Sequence, residues 1–411
     1  MRRVVITGMG AVSPIGNTVE QLWSSVQQGK CGIDSISAFD TTDYKVKLAA
    51  QVKDLDVEQY FTKRDVKFND RFTVFARVAA KQALADSQLN VESIDTTQFG
   101  VIVGSGIGGL SSLENAKDNL NEKGPNRISP FFIPMTLINL AAGSVAIDCG
   151  AHGHCSSIVT ACAAGTDAIG MAFHKIRDGY ATWMLAGGSE ASITPLGVAG
   201  FMVMRALHEG DDPNRASIPF DEQRSGFVMG EGSAIVMLEE LESALARKAK
   251  IYGEIVGYGT TCDANHITAP LEDGSMGALA MTLAVKDAKL TPEHIDYINA
   301  HGTSTPLNDK TETLAVKRAF GDHAHKLLIS STKSMTGHML GASGAIEALI
   351  SVKALQEGFV PATINLVHQD PLCDLDVVAN VGRKHDIKYA MSNSLGFGGH
   401  NASIVLKKWE G

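Results

Sequence analysis

A cysteine that leaves an apolar strand and enters a helix is a candidate nucleophile, and Cys162 does so within IVTACAAGTDAIGMAFHKI, Ile158 to Ile176. A thiol at a helix N-terminus meets the positive end of the macrodipole and unpaired N–H groups, both of which favour thiolate. Ala163, Ala164 and Gly165 leave room beside the sulfur. A cysteine is as readily a small buried hydrophobe, so this segment alone leaves both readings open. Two histidine loops add weight. NAHGTSTPLND sets His301 directly after a strand, followed by Gly302, Thr303 and Thr305, and SSTKSMTGHMLGASGAIEAL sets Lys333 and His338 in a loop that runs into a helix. Strand exits are where α/β folds gather their sites. Two histidines beside a candidate nucleophile point to nucleophilic catalysis. In SNSLGFGGHNA, Phe397 lies among Gly396, Gly398 and Gly399. Such a loop can turn a backbone N–H toward a bound carbonyl and use its lone aromatic as a gate.

Two other patterns compete. GSGIGG (Gly104, Gly106, Gly109) after the strand GVIV satisfies the dinucleotide fingerprint. The chain beyond it is polar and helical up to Pro125–Pro134, with no second strand ending in an acid, so nucleotide binding is not expected. His152, His154, Cys155, Cys149 and Cys162 fit none of the usual zinc spacings and read as loop residues.

The elements that must position these residues alternate in type. Strands are expected at 3–8, 100–103, 157–159, 184–186, 234–239, 251–258, 297–299, 327–330, 389–393 and 402–407. Helices are expected at 19–28, 71–87, 110–122, 163–177, 241–247, 276–288, 310–320 and 342–356. Alternation of this kind predicts an α/β fold with buried, mostly parallel sheets. GFVMGEGSAIVML (Gly226–Leu238) echoes GFGGHNASIVL (Gly396–Leu406), as two related halves would, at 1–250 and 251–411. The chain of 411 residues carries a net charge of −9, which excludes general nucleic-acid and anionic-membrane binding. Its 41 glycines cluster where backbone must approach something closely. Six cysteines without framework spacing, no apolar leader and no run near ~20 apolar residues predict a soluble cytoplasmic protein.

TACAAG around Cys162, NAHGTSTPLND around His301, SSTKSMTGH around His338 and the closing NSLGFGGHNA together resemble the β-ketoacyl-acyl carrier protein synthases. The bacterial elongating type II group is the nearest in pattern. The likeness extends from VVITGMGAVSPIGN through RISPFFIPM and SGFVMGEG to the C-terminus. It implies a thiolase-like α/β fold of two similar halves in five layers, αβαβα, as a homodimer. It implies that Cys162 takes an acyl chain from acyl carrier protein, and that decarboxylating malonyl-carrier protein then attacks it to give a 3-oxoacyl chain two carbons longer. Cys162 and Phe397 would supply the oxyanion-hole N–H groups, His301 and His338 would donate to the malonyl thioester oxygen, and Lys333 and Glu347 would form a supporting ion pair.

By the same resemblance Thr303, Thr305 and Thr268 would touch the phosphopantetheine arm that the substrate carries, and Ile107 would wall the acyl pocket. Asn299, Glu347, Ser392 and Asn393 would form a monovalent-cation site, and no cofactor would be required. Arg64, Lys67, Arg127 and Arg205 would line the tunnel mouth and dock the acidic carrier, although the chain as a whole is acidic. Four departures touch docking and chain length. Phe68 and Asn126 stand where the family has basic residues, Ser225 where it has aspartate, and Ile218 where it has arginine. A thiolase would use a Cys–His–Cys set, which the second histidine opposes. A non-catalytic chain-length factor would lack the nucleophile.

Overall fold

Ten strands form one mixed sheet in the computed structural model, which describes residues 1–411. They are β1 (Val4–Val12), β2 (Phe99–Gly104), β3 (Cys155–Ile158), β4 (Trp183–Glu190), β5 (Gly232–Glu240), β6 (Gly253–Cys262), β7 (Tyr297–Asn299), β8 (Leu328–Ser330), β9 (Tyr389–Gly396) and β10 (His400–Lys407). Across the sheet the order is β8-β7-β9-β10-β6-β1-β5-β4-β2-β3. Outward from the middle, each set of five therefore reads first, fifth, fourth, second, third in chain order. The echoed segments Gly226–Leu238 and Gly396–Leu406 fall on β5 and β10, the fifth strand of each set. The two sets join where Val4 lies opposite Ile255 and Ile6 opposite Gly253.

The expectation of mostly parallel pairing is corrected. The second, third and fourth strands of each set pair in parallel, whereas every pairing of a first or fifth strand is antiparallel. β10 follows β9 through a tight turn at Phe397–Gly399, and a hairpin can only be antiparallel.

Strand alternation sorts the core into layers. Val101, Val103, Ile235 and Met237 point to one side, against α1 (Arg71–Ser87) and α2 (Asn139–Cys149). Ile102, Val236 and Leu238 point to the other, together with Ile404 and Leu406, against α3 (Ala164–Arg177) and α6 (Ser343–Glu357). Val405, Ile298 and Met391 face α4 (Ser275–Asp287) and α5 (Pro306–Phe320). The result is helices, sheet, two central helices, sheet, helices: the five expected layers. α2 and the helix Pro195–Val203 went unread in the sequence because both have small or apolar residues on every side, with no period to detect.

The central helices start at matching turns. Ala161 (φ 50°) begins the turn Ala161–Ala163 that opens α3, and Leu340 (φ 48°) begins the turn Leu340–Ala342 that opens α6. The helices meet so closely that a Cβ on Gly165 would lie 2.8 Å from the Gly341 carbonyl oxygen. Any larger residue there would force the two turns apart.

Candidate active site

The turn after β3 delivers the sulfur. Thr160 donates its hydroxyl to Asp167, which also accepts from the Tyr258 hydroxyl at 2.7 Å, so the strand exit is tied to the first turn of α3. The left-handed Ala161 then swings Cys162 inward, where it is only 8% exposed. The next two residues complete the turn, and α3 starts at Ala164, one residue later than the sequence pattern suggested.

His338 reaches the sulfur directly. Its Nε2 lies 3.1 Å from Cys162 Sγ and its Nδ1 lies 2.9 Å from Ser343 Oγ. When the thiol donates to Nε2, the opposite ring nitrogen carries the proton and donates to Ser343. The His301 and His338 rings meet edge to face, 5.2 Å apart at 85°. The loop that carries His301 is fixed by Glu312 of α5, whose carboxylate accepts from the His301 and Gly302 backbone N–H groups at 2.8 Å each. His301 Nδ1 is buried with no partner. Both imidazoles are held well below their ordinary pKa, by burial first and by the Lys333 charge second, so both are neutral at pH 7.

Lys333 and Glu347 form a fully buried ion pair behind these rings. Burial pushes the Glu347 carboxyl up to about 7 while Lys333 draws it back down. The expectation that the helix terminus leaves Cys162 partly thiolate is corrected. Burial pushes this thiol up to about 12, outweighing Lys333 and the Phe397 and Cys162 N–H groups that both point at the sulfur. A terminal dipole has its full effect on a solvated thiol; here desolvation of the anion is the larger effect.

A cavity of about 370 Å³ opens over the sulfur and holds Cys162, His301, His338, Thr268, Thr303, Thr305, Arg205, Ser225 and Phe397 in its wall. A larger groove of about 810 Å³, around Lys81 and Asp86, shares none of these residues. Chemistry, not volume, selects the first. Thr305 caps α5, accepting from Asn308 N–H at 3.3 Å, and its hydroxyl lies 2.9 Å from that of Thr303. Ile107 packs into an apolar cluster with Cys162, Val198, Phe227 and Leu340. A line of aromatics runs from Phe397 through Phe201 and Phe227 to His338, with ring centres 6.3, 5.4 and 5.2 Å apart. Sequence reasoning missed Phe201 and Phe227, although Phe227 stood in the GFVMGEG echo.

Of the four basic residues expected at the mouth, only Arg205 borders the cavity. Arg64 and Lys67 are exposed on and just after the short helix Lys63–Val66, and Arg127 is exposed in the turn Pro125–Arg127. Sequence charge marks a patch, and the chain path says where it faces. The two segments are joined by Phe68, which stacks on Phe131 at 4.0 Å. Asn126 is exposed, Ile218 is buried with its N–H given to Ser304 Oγ, and Ser225 Oγ lies 2.9 Å from His208 Nδ1.

The residues expected to hold a monovalent cation converge in chemistry. Asn299 Oδ1, Glu347 Oε2 and Ser392 Oγ are all buried oxygens without a hydrogen-bond partner. Asn393 differs, because its Oδ1 already accepts from Ser403 Oγ at 2.8 Å. Orphaned buried oxygens with one carboxylate among them suit a hard cation, so the set fits.

Family models place this geometry. Residues 1–244 match the beta-ketoacyl synthase N-terminal domain and residues 252–367 the C-terminal domain. The chain belongs to the beta-ketoacyl synthase family. Among its relatives, a 3-oxoacyl-[acyl-carrier-protein] synthase 2 of Synechocystis sp. is 53% identical over 410 residues, covering 100% of this chain and 99% of that one. The protein of the same name from Staphylococcus aureus is 52% identical over 409 residues, with the same coverage. A beta-ketoacyl synthase from Burkholderia phymatum superposes with a TM-score of 0.93 at 35% identity, over 100% of both chains. A type II polyketide ketosynthase, solved with its acyl-carrier protein and bound to the hexaketide, gives a TM-score of 0.92 at 36% identity, over 99% of this chain and 100% of that one. Like these synthases, the chain has the thiolase-like fold.

Proposed function

We propose that this chain is a 3-oxoacyl-acyl carrier protein synthase that condenses malonyl-carrier protein with an acyl chain held on Cys162, in the elongation phase of type II fatty-acid synthesis. The observation that carries this reading is Cys162 Sγ 3.1 Å from His338 Nε2, with the His301 ring beside it and one cavity over all three. In the first half-reaction the thiol attacks the acyl-carrier thioester as His338 accepts its proton. The oxyanion faces the Cys162 and Phe397 N–H groups, each such donor being worth ~2.7–4 kcal/mol. Carrier thiol leaves with the proton, and the acyl chain stays on sulfur.

In the second half-reaction malonyl-carrier protein loses carbon dioxide, and enolate charge builds on its thioester oxygen. Neutral His301 offers an N–H to that oxygen, and so does His338 from Nε2, in the tautomer whose Nδ1 accepts from Ser343 Oγ. Their depressed pKa is useful here, because an imidazolium would protonate and quench the carbanion. The carbanion attacks the Cys162 thioester and returns the thiolate. Lys333 offsets the anionic charge of both steps from behind the rings.

Ile107 and Phe397 border the acyl chain, while Thr268, Thr303 and Thr305 take the polar phosphopantetheine arm. A monovalent cation would sit among Asn299, Glu347 and Ser392, with Asn393 beside them, bracing the histidine loops without entering the chemistry. We place the halves at 1–250 and 251–411, between the two family-model matches. The protein works as a cytoplasmic homodimer. The edge strand β3 and the exposed apolar residues Ile133, Leu137, Ile147 and Val159 support an interface, and no helix is long and apolar enough to cross a membrane. Incubation with acyl-carrier protein tests the reading by intact mass. Wild type gains one acyl group on Cys162 and Cys162→Ala gains none; acylation that survives in the variant overturns it.

A further inference from the structure

The glycine cluster Gly104–Gly109 has the make-up of a phosphate loop, and its donors are in use. Glu190, the last residue of β4, is fully buried with its carboxylate in that loop. One oxygen accepts from Ser105 Oγ (3.0 Å), Ile107 N–H (3.2 Å), Gly108 N–H (3.3 Å) and Ser192 Oγ (3.3 Å). The other accepts from Gly106 N–H (2.7 Å) and Gly341 N–H (3.1 Å). A protein carboxylate thus fills the nest in which other folds seat a phosphate. Two functional segments share it. One is the loop that carries Ile107; the other is the turn Leu340–Ala342, which follows His338 and opens α6. The segments touch backbone to backbone, since a Cβ on Gly341 would lie 2.4 Å from the Gly106 nitrogen.

No cation bonds this carboxylate, and burial raises its pKa against the pull of the backbone donors. Its charge also raises the Cys162 thiol and so opposes the nucleophile. A buried anion that works against the reacting group electrostatically must contribute through geometry. We propose that Glu190 is a positioning residue that latches the acyl-pocket wall at Ile107 to the His338 loop, so that chain-length selectivity and malonyl decarboxylation depend on one carboxylate. This rests on the reading that Ile107 borders the acyl chain and His338 serves the reaction. A chain long enough to displace Ile107 pulls on Gly106 and, through Glu190, on Gly341. Glutamine at this site keeps the volume but turns one acceptor into a donor that faces two N–H groups.

The test uses full-length Glu190→Gln, with two readouts that a merely structural residue would not move together. The first is the ratio of Cys162 loading rates from C8 and C16 acyl-carrier protein. The second is carbon dioxide release from malonyl-carrier protein alone. In a cooperatively melting variant the loading ratio shifts at least fivefold, and release falls at least fivefold at unchanged KM. A folded variant that keeps either readout at the wild-type value overturns the latch. Ser105→Ala removes one donor and leaves the charge. If Glu190→Gln does not fold, this variant must show both changes at twofold or more, and no change overturns the proposal. Wild type that loads no acyl chain would instead refute the functional reading on which the latch rests.

Discussion

Alkylation of Cys162 by iodoacetamide rises about tenfold per pH unit from pH ~6 to ~10, with no plateau. An unperturbed thiol near 8.5 is about one-quarter thiolate at pH ~8. Burial pushes Cys162 up to about 12, and the thiolate fraction at the same pH is then about one in ten thousand. Lys333 is the largest opposing influence, ahead of the Phe397 and Cys162 N–H groups. Lys333→Met therefore slows alkylation further at every pH. Cys155 and Cys262 are exposed, so the modified peptide must be resolved by mass rather than by total thiol loss. A plateau with a midpoint below about 9 would mean that the helix terminus outweighs desolvation, and the reasoning would fail. The expected result has a mechanistic counterpart: the thiol is neutral at rest, and its proton passes to His338 only as the acyl carbon arrives.

Buried His301 and His338 are neutral in the fold and bind protons when unfolded, so the stability they confer is full above pH 6.5 and is lost as pH falls below it. The loss is about 1.4 kcal/mol per pH unit for each ring; urea unfolding of His301→Asn beside wild type shows a shallower acid decline, and equal slopes count against it. Lys333→Met leaves Glu347 buried and unpaired, at a cost of roughly 3–5 kcal/mol at pH ~8. The Lys333→Met/Glu347→Met double variant recovers most of that loss in the same urea assay. Potassium chloride raises Tm above that in tetramethylammonium chloride of equal ionic strength, by the equivalent of about 2.7 kcal/mol at a hundred times the cation Kd; Ser392→Ala shrinks the difference. Added salt raises KM for carrier-bound substrate, and Arg205→Glu raises it further; a KM independent of salt sinks the docking patch.

Motifs with local chemistry were legible. Cys162, His301 and His338 could be picked out because each lies where a strand gives way to glycine and small residues, a pattern written in a few neighbouring positions. Their 3.1 Å and 5.2 Å separations were not, since they depend on two turns from different halves meeting through glycine. Glu190 illustrates the limit. Nothing in GGSEAS marks that glutamate as the anion for a loop more than 80 residues earlier, and the GSGIGG pattern was set aside as a nucleotide site without its true occupant being seen. The basic residues show a related limit. Arg64 and Lys67 are three residues apart in sequence and exposed, but only Arg205, after an all-apolar helix with no readable period, reaches the cavity. The thiol's pKa was misjudged because a helix terminus is visible in sequence and burial is not.

The place of β1 in the sheet has a consequence for synthesis. It leaves the ribosome before every other strand of this sheet, yet its neighbours are β5 and β6, so Val4 pairs with Glu240 on one side and Ile255 on the other. At about 5–20 residues per second, roughly ten to fifty seconds pass between the emergence of Val4 and that of its partners. All nine residues of β1 are buried in the finished fold. During that interval a strand rich in valine and isoleucine has both edges open, which is the condition for pairing with another nascent chain. The architecture that joins two half-sites at its centre thus makes β1 dependent on the far half of the fold, and a chaperone that holds the emerging β1 would raise the yield of folded protein.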